Sequence, residues 1–185
     1  MISERTSSST IRSLVTGFSL IELLITMSVF ALLLVIGIPS YIELSHQHRL
    51  SGIAHHLYSD VQYARSEAIK RSDDNLTIRF FSSSGSWCYR VTDLNGTQCH
   101  SCAVTCDIGG DGVTRGGDSS DFPDTNISIN YASDVLGIGA RRGTMSSGSI
   151  DFIKGSDEIS VITSGLGRVR ICTRGSTSIM GISSC

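Results

Sequence analysis

Two arginines near the end of the 185-residue chain have a spacing suited to binding an anion: Arg168 and Arg170. In an extended strand, residues two apart project from the same face, so both guanidinium groups would point outward while Val169 and Ile171 face a core. Guanidinium groups bind phosphate oxygens through paired hydrogen bonds. The segment therefore suits a phosphate-binding surface, which other basic residues would extend if the fold brings them near: Arg141, Arg142, Lys154 and Arg174.

The alternative for the same arginines is structural, and their spacing alone favours it. They would pair with acidic neighbours or lie solvated on an edge strand. The acidic candidates are Asp151, Asp157 and Glu158.

Six cysteines form a second group of reactive side chains, and all of them lie in the second half of the chain apart from Cys88: Cys88, Cys99, Cys102, Cys106, Cys172 and Cys185. Thiolates together with His100 would suit tetrahedral zinc, although the spacing is irregular. An even number of cysteines in an exported domain favours disulfides instead. We predict disulfides, and neither a metal site nor a cofactor.

A third candidate is a single carboxylate, Glu22, at the start of an apolar segment. From Phe18 to Ile38 this segment spans about 30 Å as a helix, the thickness of a bilayer core. A carboxylate in that setting costs on the order of 2–3 kcal/mol and is usually retained for a partner. Cleavage after Gly17 would expose an amine on Phe18, and that amine on a neighbouring copy would be a suitable partner.

The residues before this segment form a short basic leader, 1–17, which contains Arg5 and Arg12. The positive-inside rule keeps such a leader in the cytoplasm. A secretory signal peptide would need a small-residue cleavage site after the apolar run, and the sequence PSYIELS offers none. A plain signal anchor explains the apolar run but does not explain Glu22.

The helical pattern continues beyond the membrane segment. Pro39 lacks a backbone N–H and should kink or loosen the helix there. An apolar stripe then recurs at helical spacing to about Ile69, at positions Leu50, Ile53, Leu57, Val61, Ala64 and Ala68. We predict an assembly helix over 18–39 and an amphipathic helix over 40–71. The histidines of the second part are assigned to its solvated surface: His46, His48, His55 and His56.

Short β-branched runs bounded by turn residues predict a β-rich head over 72–185. The expected strands are 76–81, 87–93, 127–131, 149–153, 159–163 and 168–173. Asn95-Gly96 suits a hairpin turn, and the Gly- and Asp-rich stretch 107–124 predicts a long surface loop. The fold class is α+β, a long helix on an antiparallel sheet.

Charge and motifs exclude some functions. The net charge of −2 indicates no partner by itself. We find neither a nucleophile elbow, nor an HExxH motif, nor a carboxylate pair placed by the pattern. The sequence therefore predicts a protein that is not an enzyme.

The N-terminal residues carry a family resemblance. Gly17-Phe18-Ser19-Leu20-Ile21-Glu22, the apolar run and Pro39 resemble the class III leader motif of type IV prepilins and pseudopilins. The resemblance implies cleavage after Gly17 and N-methylation of Phe18 by a prepilin peptidase. It implies a single pass in the inner membrane with the head in the periplasm. Assembly with other pilin subunits into a fibre would follow, with Glu22 meeting the Phe18 amine of a neighbour.

The rest of the chain resembles the GspH/FimT/FimU group of minor pilins and pseudopilins. Gly167, Arg168 and Arg170 match the G-R-x-R element through which FimT-like proteins bind double-stranded DNA, independently of sequence, in natural transformation. Arg174 would add to that site. Similarity to pilins that tie down their C-terminus implies a Cys172–Cys185 disulfide, with the other four cysteines paired among themselves.

The resulting interpretation is a minor type IV pilin at or near the pilus tip, with DNA binding. The alternatives are a FimU-like tip-priming pilin without DNA binding and a GspH-type minor pseudopilin of a type II protein secretion system.

Overall fold

The structure, a computed structural model, describes residues 17–93, 99–104, 106–108, 113–175 and 178–185. Leader residues Arg5 and Arg12 and the predicted turn at Asn95-Gly96 lie outside the described residues. The chain divides into two compact units between Ile42 and Glu43.

One helix, α1, runs from Leu20 to Arg71 and continues through Pro39, so the loosening expected there does not end it. In the first unit every side chain from Phe18 to Ile42 is exposed in this single chain. This part of α1 is long and apolar enough to cross a membrane once. After Arg71 the chain leaves the helix at Ser72, which adopts a left-handed φ of 51°.

The second unit contains the remainder of α1 and eight strands. The apolar stripe of the helix is buried as predicted, at Leu50, Ile53, Leu57, Val61, Ala64 and Ala68. It belongs to a hydrophobic cluster that also includes side chains of the strands, among them Ile78, Tyr89, Phe152 and Val161.

The strands form two antiparallel four-stranded sheets. They are β1 (Leu76–Ser83), β2 (Ser86–Asp93), β3 (Gly116–Asp118), β4 (Asn126–Asn130), β5 (Val135–Gly137), β6 (Gly148–Lys154), β7 (Asp157–Thr163) and β8 (Val169–Thr173). A 3-10 turn, Ala132–Asp134, precedes β5. The first sheet has the order β3-β2-β1-β5, and the second has β4-β6-β7-β8.

This architecture confirms the predicted α+β class and all six expected strands. Two short strands are additions. β3 lies inside the stretch predicted as a long loop, and it pairs with β2 from Cys88 to Arg90. β5 pairs with β1 from Thr77 to Arg79. The head therefore has two sheets rather than one.

All six cysteines are in disulfides. The bonds are Cys88–Cys102, Cys99–Cys106 and Cys172–Cys185. The last of these is the pairing that the resemblance implied. The thiolates that a zinc site at Cys99-His100-x-Cys102 would require are thereby consumed.

Candidate functional site

The N-terminal junction lies just outside the helix. Gly17 and Phe18 precede the first residue of α1, Leu20, and the Phe18 side chain is 82% exposed. Ser19 accepts the first helical hydrogen bond, from the Leu23 amide at 3.1 Å. The Gly17–Phe18 peptide bond is therefore not held in helical hydrogen bonds. Glu22 lies in the first turn and is exposed in the single chain.

The predicted anion-binding arginines lie at the hairpin between β7 and β8. A four-residue turn, 164–167, is closed by the Gly167 amide donating to the Ser164 carbonyl at 2.9 Å. The Ser164 amide donates to the Arg168 carbonyl at 3.0 Å. These two bonds fix Arg168 at the start of β8.

Gly167 connects this turn to a second one. Its φ of +79° is left-handed, which favours glycine, and a Cβ there would overlap the carbonyl oxygen of Gly143. Arg65 of α1 donates from Nη1 to the Gly167 carbonyl at 3.3 Å. The second turn, 139–144, is closed by the Gly139 amide donating to the Thr144 carbonyl at 2.8 Å.

This contact brings together the turn that carries Arg141 and Arg142 and the turn that precedes Arg168. Arg141 and Arg142 lie on the 139–144 turn, Arg168 follows the 164–167 turn, and all three are exposed together with Arg170. Among the described residues, none of these four has a carboxylate within 4.0 Å. We call Arg141, Arg142, Arg168 and Arg170 the arginine surface.

The face of β8 agrees with the period-two pattern. Val169 and Ile171 pack against the hydrophobic cluster, whereas Arg168 and Arg170 line a groove on the opposite side. Arg170 lies opposite Ile162 of β7, and Ile162 contributes to the groove. The groove thus combines two guanidinium groups with an aliphatic wall.

Unlike the four arginines of this group, Arg174 is paired with acidic side chains. Its guanidinium lies 3.4 Å from Oδ2 of the buried Asp151 and 3.3 Å from the Ser149 hydroxyl. Glu158 lies 4.0 Å from its Nε. These acidic partners are two of those considered for Arg168 and Arg170, and they belong to Arg174 instead.

Lys154 is likewise engaged elsewhere. It is 6% exposed and donates to the Pro123 carbonyl at 2.9 Å. Its ammonium also lies 3.8 Å from Asp124. Lys154 therefore stabilises the fold and does not extend the arginine surface.

A polar network that the sequence did not indicate joins α1 to β2. Tyr89 donates from its hydroxyl to Asp60 Oδ2 at 3.0 Å, and the Nδ1 of His56 lies 2.6 Å from the same hydroxyl. His56 is therefore not simply solvated. Burial raises the pKa of Asp60, and the nearby His56 and the hydrogen bond from Tyr89 oppose that rise. Burial also raises the pKa of Tyr89, which keeps the phenol protonated as a donor.

One signal could have located this network. Asp60 is three residues after Leu57 and four before Ala64, so it lies on the apolar face of the helix. A carboxylate on that face needs a buried partner, and the partner is Tyr89.

Two family models match the chain. The model for type II transport protein GspH matches residues 54–167. The prokaryotic N-terminal methylation motif matches residues 12–38, which include Gly17, Phe18 and Glu22. The first match ends at Gly167, so Arg168 and Arg170 lie beyond it. No curated protein and no solved structure matches the chain.

Proposed function

Because the chain belongs to the type II transport protein GspH family and carries the N-terminal methylation motif, we propose that it is a minor type IV pilin that binds double-stranded DNA. Its primary role is structural, as a subunit at or near the pilus tip. The head carries the arginine surface, through which it would bind DNA for uptake in natural transformation.

The observation that carries the DNA proposal is a set of four guanidinium groups that have no carboxylate within 4.0 Å in the part of the chain that the structure describes. Arg141 and Arg142 lie on the turn that contacts the 164–167 turn, and Arg168 and Arg170 follow that second turn, whereas the acidic side chains Asp151 and Glu158 lie against Arg174. Phosphate contacts release counterions and carry no sequence information. Binding is therefore expected to weaken steeply with salt and to show little sequence preference.

The test is a titration of the full chain in detergent micelles with a double-stranded oligonucleotide across a salt series. The Arg168→Ala/Arg170→Ala variant should bind more weakly, and the magnitude of its slope of log affinity against log salt should fall by roughly 2. The matched control is Arg49→Ala/Arg71→Ala, which changes the net charge equally but on exposed positions of α1. Equal affinity of the first variant and the wild type would refute DNA binding by these residues.

The assembly proposal concerns the other end of the chain. A prepilin peptidase would cut between Gly17 and Phe18 and methylate the Phe18 amine, with 18–39 then acting as the membrane and assembly helix. The head, residues 43–185, would lie in the periplasm before the fibre forms. Glu22 would set the register between neighbouring subunits by pairing with the Phe18 amine of a neighbour. Pro39 would loosen the helix between its membrane part and the part in the head.

Mass spectrometry of the mature protein tests the cut, because the proposal requires N-methylphenylalanine at the new terminus. Glu22→Ala should be processed normally but recovered from sheared fibres at a much lower level than the wild type. A mature chain beginning at any residue other than Phe18 would contradict the processing proposal.

The second candidate is a minor pseudopilin of type II secretion. The observation that favours it is the extent of the GspH match, which covers most of the head but stops before Arg168. Deleting the gene separates the candidates. Loss of DNA uptake with normal protein secretion supports the pilin, and the reverse result supports the pseudopilin.

A further inference from the structure

An apolar side chain projects from the arginine surface. Leu166 occupies the tip of the 164–167 turn and is 90% exposed. Apart from the exposed part of α1 up to Ile42, the described residues include only one other large apolar side chain that is more than 60% exposed, Met180 at 95%. Leu166 is thus unusual in its exposure, and it stands next to Arg168.

The backbone of the turn that carries Leu166 is held in place by hydrogen bonds. The turn is closed at both ends by the backbone hydrogen bonds of Ser164, and its carbonyl at Gly167 accepts from Arg65. Gly167 also abuts Gly143, so the turn cannot move inward without a collision. Because the backbone is already fixed, Leu166 can enter a partner with little further loss of backbone conformational freedom.

The residues flanking Leu166 leave it accessible. Gly165 and Gly167 carry no side chains, so nothing beside Leu166 on its own turn limits how deeply it can enter a partner. Arg168 follows immediately, and Arg141 and Arg142 lie on the adjoining turn. The apolar projection therefore lies on the turn that leads into Arg168, and this turn contacts the one that carries Arg141 and Arg142.

We propose that Leu166 is a wedge that inserts between stacked base pairs of the duplex held by the arginine surface. Apolar wedges of this kind partly unstack a base step and kink the duplex, while neighbouring arginines hold its backbone. The inference rests on the proposed DNA binding and adds a base-contacting residue to it. A kinked duplex presents more phosphate to the second turn, where Arg141 and Arg142 lie.

A duplex fits this surface better than a lipid bilayer does. A single leucine contributes little to membrane insertion, whereas one wedge is sufficient to open one base step. Four exposed arginines on or beside the two contacting turns, together with one exposed leucine, match a ligand that offers many phosphates for each apolar contact.

The test uses the full chain in detergent micelles and a duplex that contains 2-aminopurine at a central TA step. Unstacking raises the fluorescence of 2-aminopurine, so the wild type should increase the signal. Leu166→Ala should bind the duplex about tenfold more weakly and should lose the fluorescence increase. Leu166→Phe should retain both, and Met180→Ala is the matched control for removal of an exposed apolar side chain.

Inorganic polyphosphate separates the wedge from the arginines, since it has phosphates but no bases. Leu166→Ala should bind polyphosphate like the wild type, whereas Arg168→Ala/Arg170→Ala should bind it more weakly. Equal weakening of both ligands in Leu166→Ala would mean that Leu166 only positions the arginines, which overturns the proposal.

The remaining outcomes are also decisive. If Arg168→Ala/Arg170→Ala loses duplex binding but Leu166→Ala does not, the wedge is wrong and the DNA proposal stands. If neither variant changes duplex binding, both fail. If Leu166→Ala loses binding only to phosphatidylglycerol vesicles, Leu166 is a membrane contact and the wedge proposal is overturned.

Discussion

Gly167 lies directly against the carbonyl group of Gly143, and this contact joins the two turns that carry the arginine surface. Neither position tolerates a larger residue easily. A Cβ on Gly143, which has a φ of +59°, would lie 2.5 Å from Nε of the Arg65 guanidinium. The arrangement of the arginines thus depends on two residues that have no functional groups of their own.

Replacing Gly167 with alanine should destabilise the head and disturb the arginine surface. The left-handed φ and the overlap with the Gly143 carbonyl act together, so the free energy of unfolding should fall by about 2–3 kcal/mol. DNA affinity should fall in the same variant, because the turn must shift. Urea unfolding and the DNA titration measure the two effects.

Two glycines serve as controls for that change. Gly155 also has a positive φ, +62°, but its Cβ would meet nothing within 4 Å. Gly155→Ala should therefore cost only the backbone strain, about 1 kcal/mol, and leave DNA binding intact. Gly165→Ala has neither constraint and is a control for stability alone, because Gly165 flanks Leu166. A loss in Gly167→Ala no larger than that in Gly155→Ala would argue against the contact.

The buried Asp60 should make the stability of the head depend on pH. Burial raises the pKa of Asp60 in the folded state, so the folded state binds the Asp60 proton more tightly than the unfolded state does. The stability that this proton contributes is fully present below the Asp60 pKa of the unfolded chain. It is lost as pH rises through the Asp60 pKa of the folded state. Asp60→Asn removes this contribution. The difference in unfolding free energy between wild type and Asp60→Asn should therefore decrease as pH rises across that window.

Urea unfolding of both proteins over a pH series measures this difference. Tyr89→Phe retains the carboxylate but removes its hydrogen-bond donor, and it should cost about 1–3 kcal/mol. Parallel stability curves for wild type and Asp60→Asn would show that the Asp60 pKa is not raised on folding.

Much of the fold follows from periodicity. The helix stripe from Leu50 to Ala68 repeats at helical spacing, and the six longer strands are rich in β-branched residues. β3 has the sequence Gly-Gly-Asp and carries no such signal. It forms because Gly117 lets the backbone approach the Tyr89 ring, where a Cβ would lie 2.8 Å from a ring carbon.

The candidate site was only partly predictable for a similar reason. Alternation alone places Arg168 and Arg170 on one face of β8. The contact between Gly143 and Gly167 and the bond from Arg65, which is 102 residues from Gly167 in sequence, arise from tertiary packing. The pairing of Arg174 could not be predicted for the same reason, since its partner Asp151 is brought to it by the pairing of β6, β7 and β8.

Arg174→Ala should affect stability rather than DNA binding. Removing the guanidinium leaves the buried carboxylate of Asp151 without its cation. The free energy of unfolding should therefore fall by about 2 kcal/mol. This loss is smaller than for a fully buried pair, because Arg174 is partly exposed. DNA affinity should change far less than in Arg168→Ala/Arg170→Ala. The same salt-dependent titration compares the variants.

A second substitution identifies the cause of that loss. If the unpaired charge is responsible, adding Asp151→Asn to Arg174→Ala should recover part of the stability. A double variant as unstable as Arg174→Ala alone would instead point to the lost hydrogen bond with Ser149.

Removing the Cys172–Cys185 disulfide should release the C-terminal segment from β8. The bond closes a loop with a sequence separation of 13, for which the chain-entropy account gives about 3 kcal/mol. Replacing both cysteines with alanine should lower the unfolding free energy by about that amount. Two backbone bonds should also weaken: the Thr173 amide to the Ser183 carbonyl at 3.0 Å and the Cys185 amide to the Thr173 carbonyl at 2.9 Å.

Hydrogen exchange of the Thr173 amide reports on the segment directly, because this amide donates to the Ser183 carbonyl within the segment. Faster exchange in the double-alanine variant, with unchanged exchange at the Gly167 amide, is the expected result. It would mean that the disulfide holds the segment while the Arg65 and Gly143 contacts hold the turn independently. Unchanged exchange at Thr173 would show instead that burial of Ile179, which is 5% exposed, is sufficient to keep the segment in place.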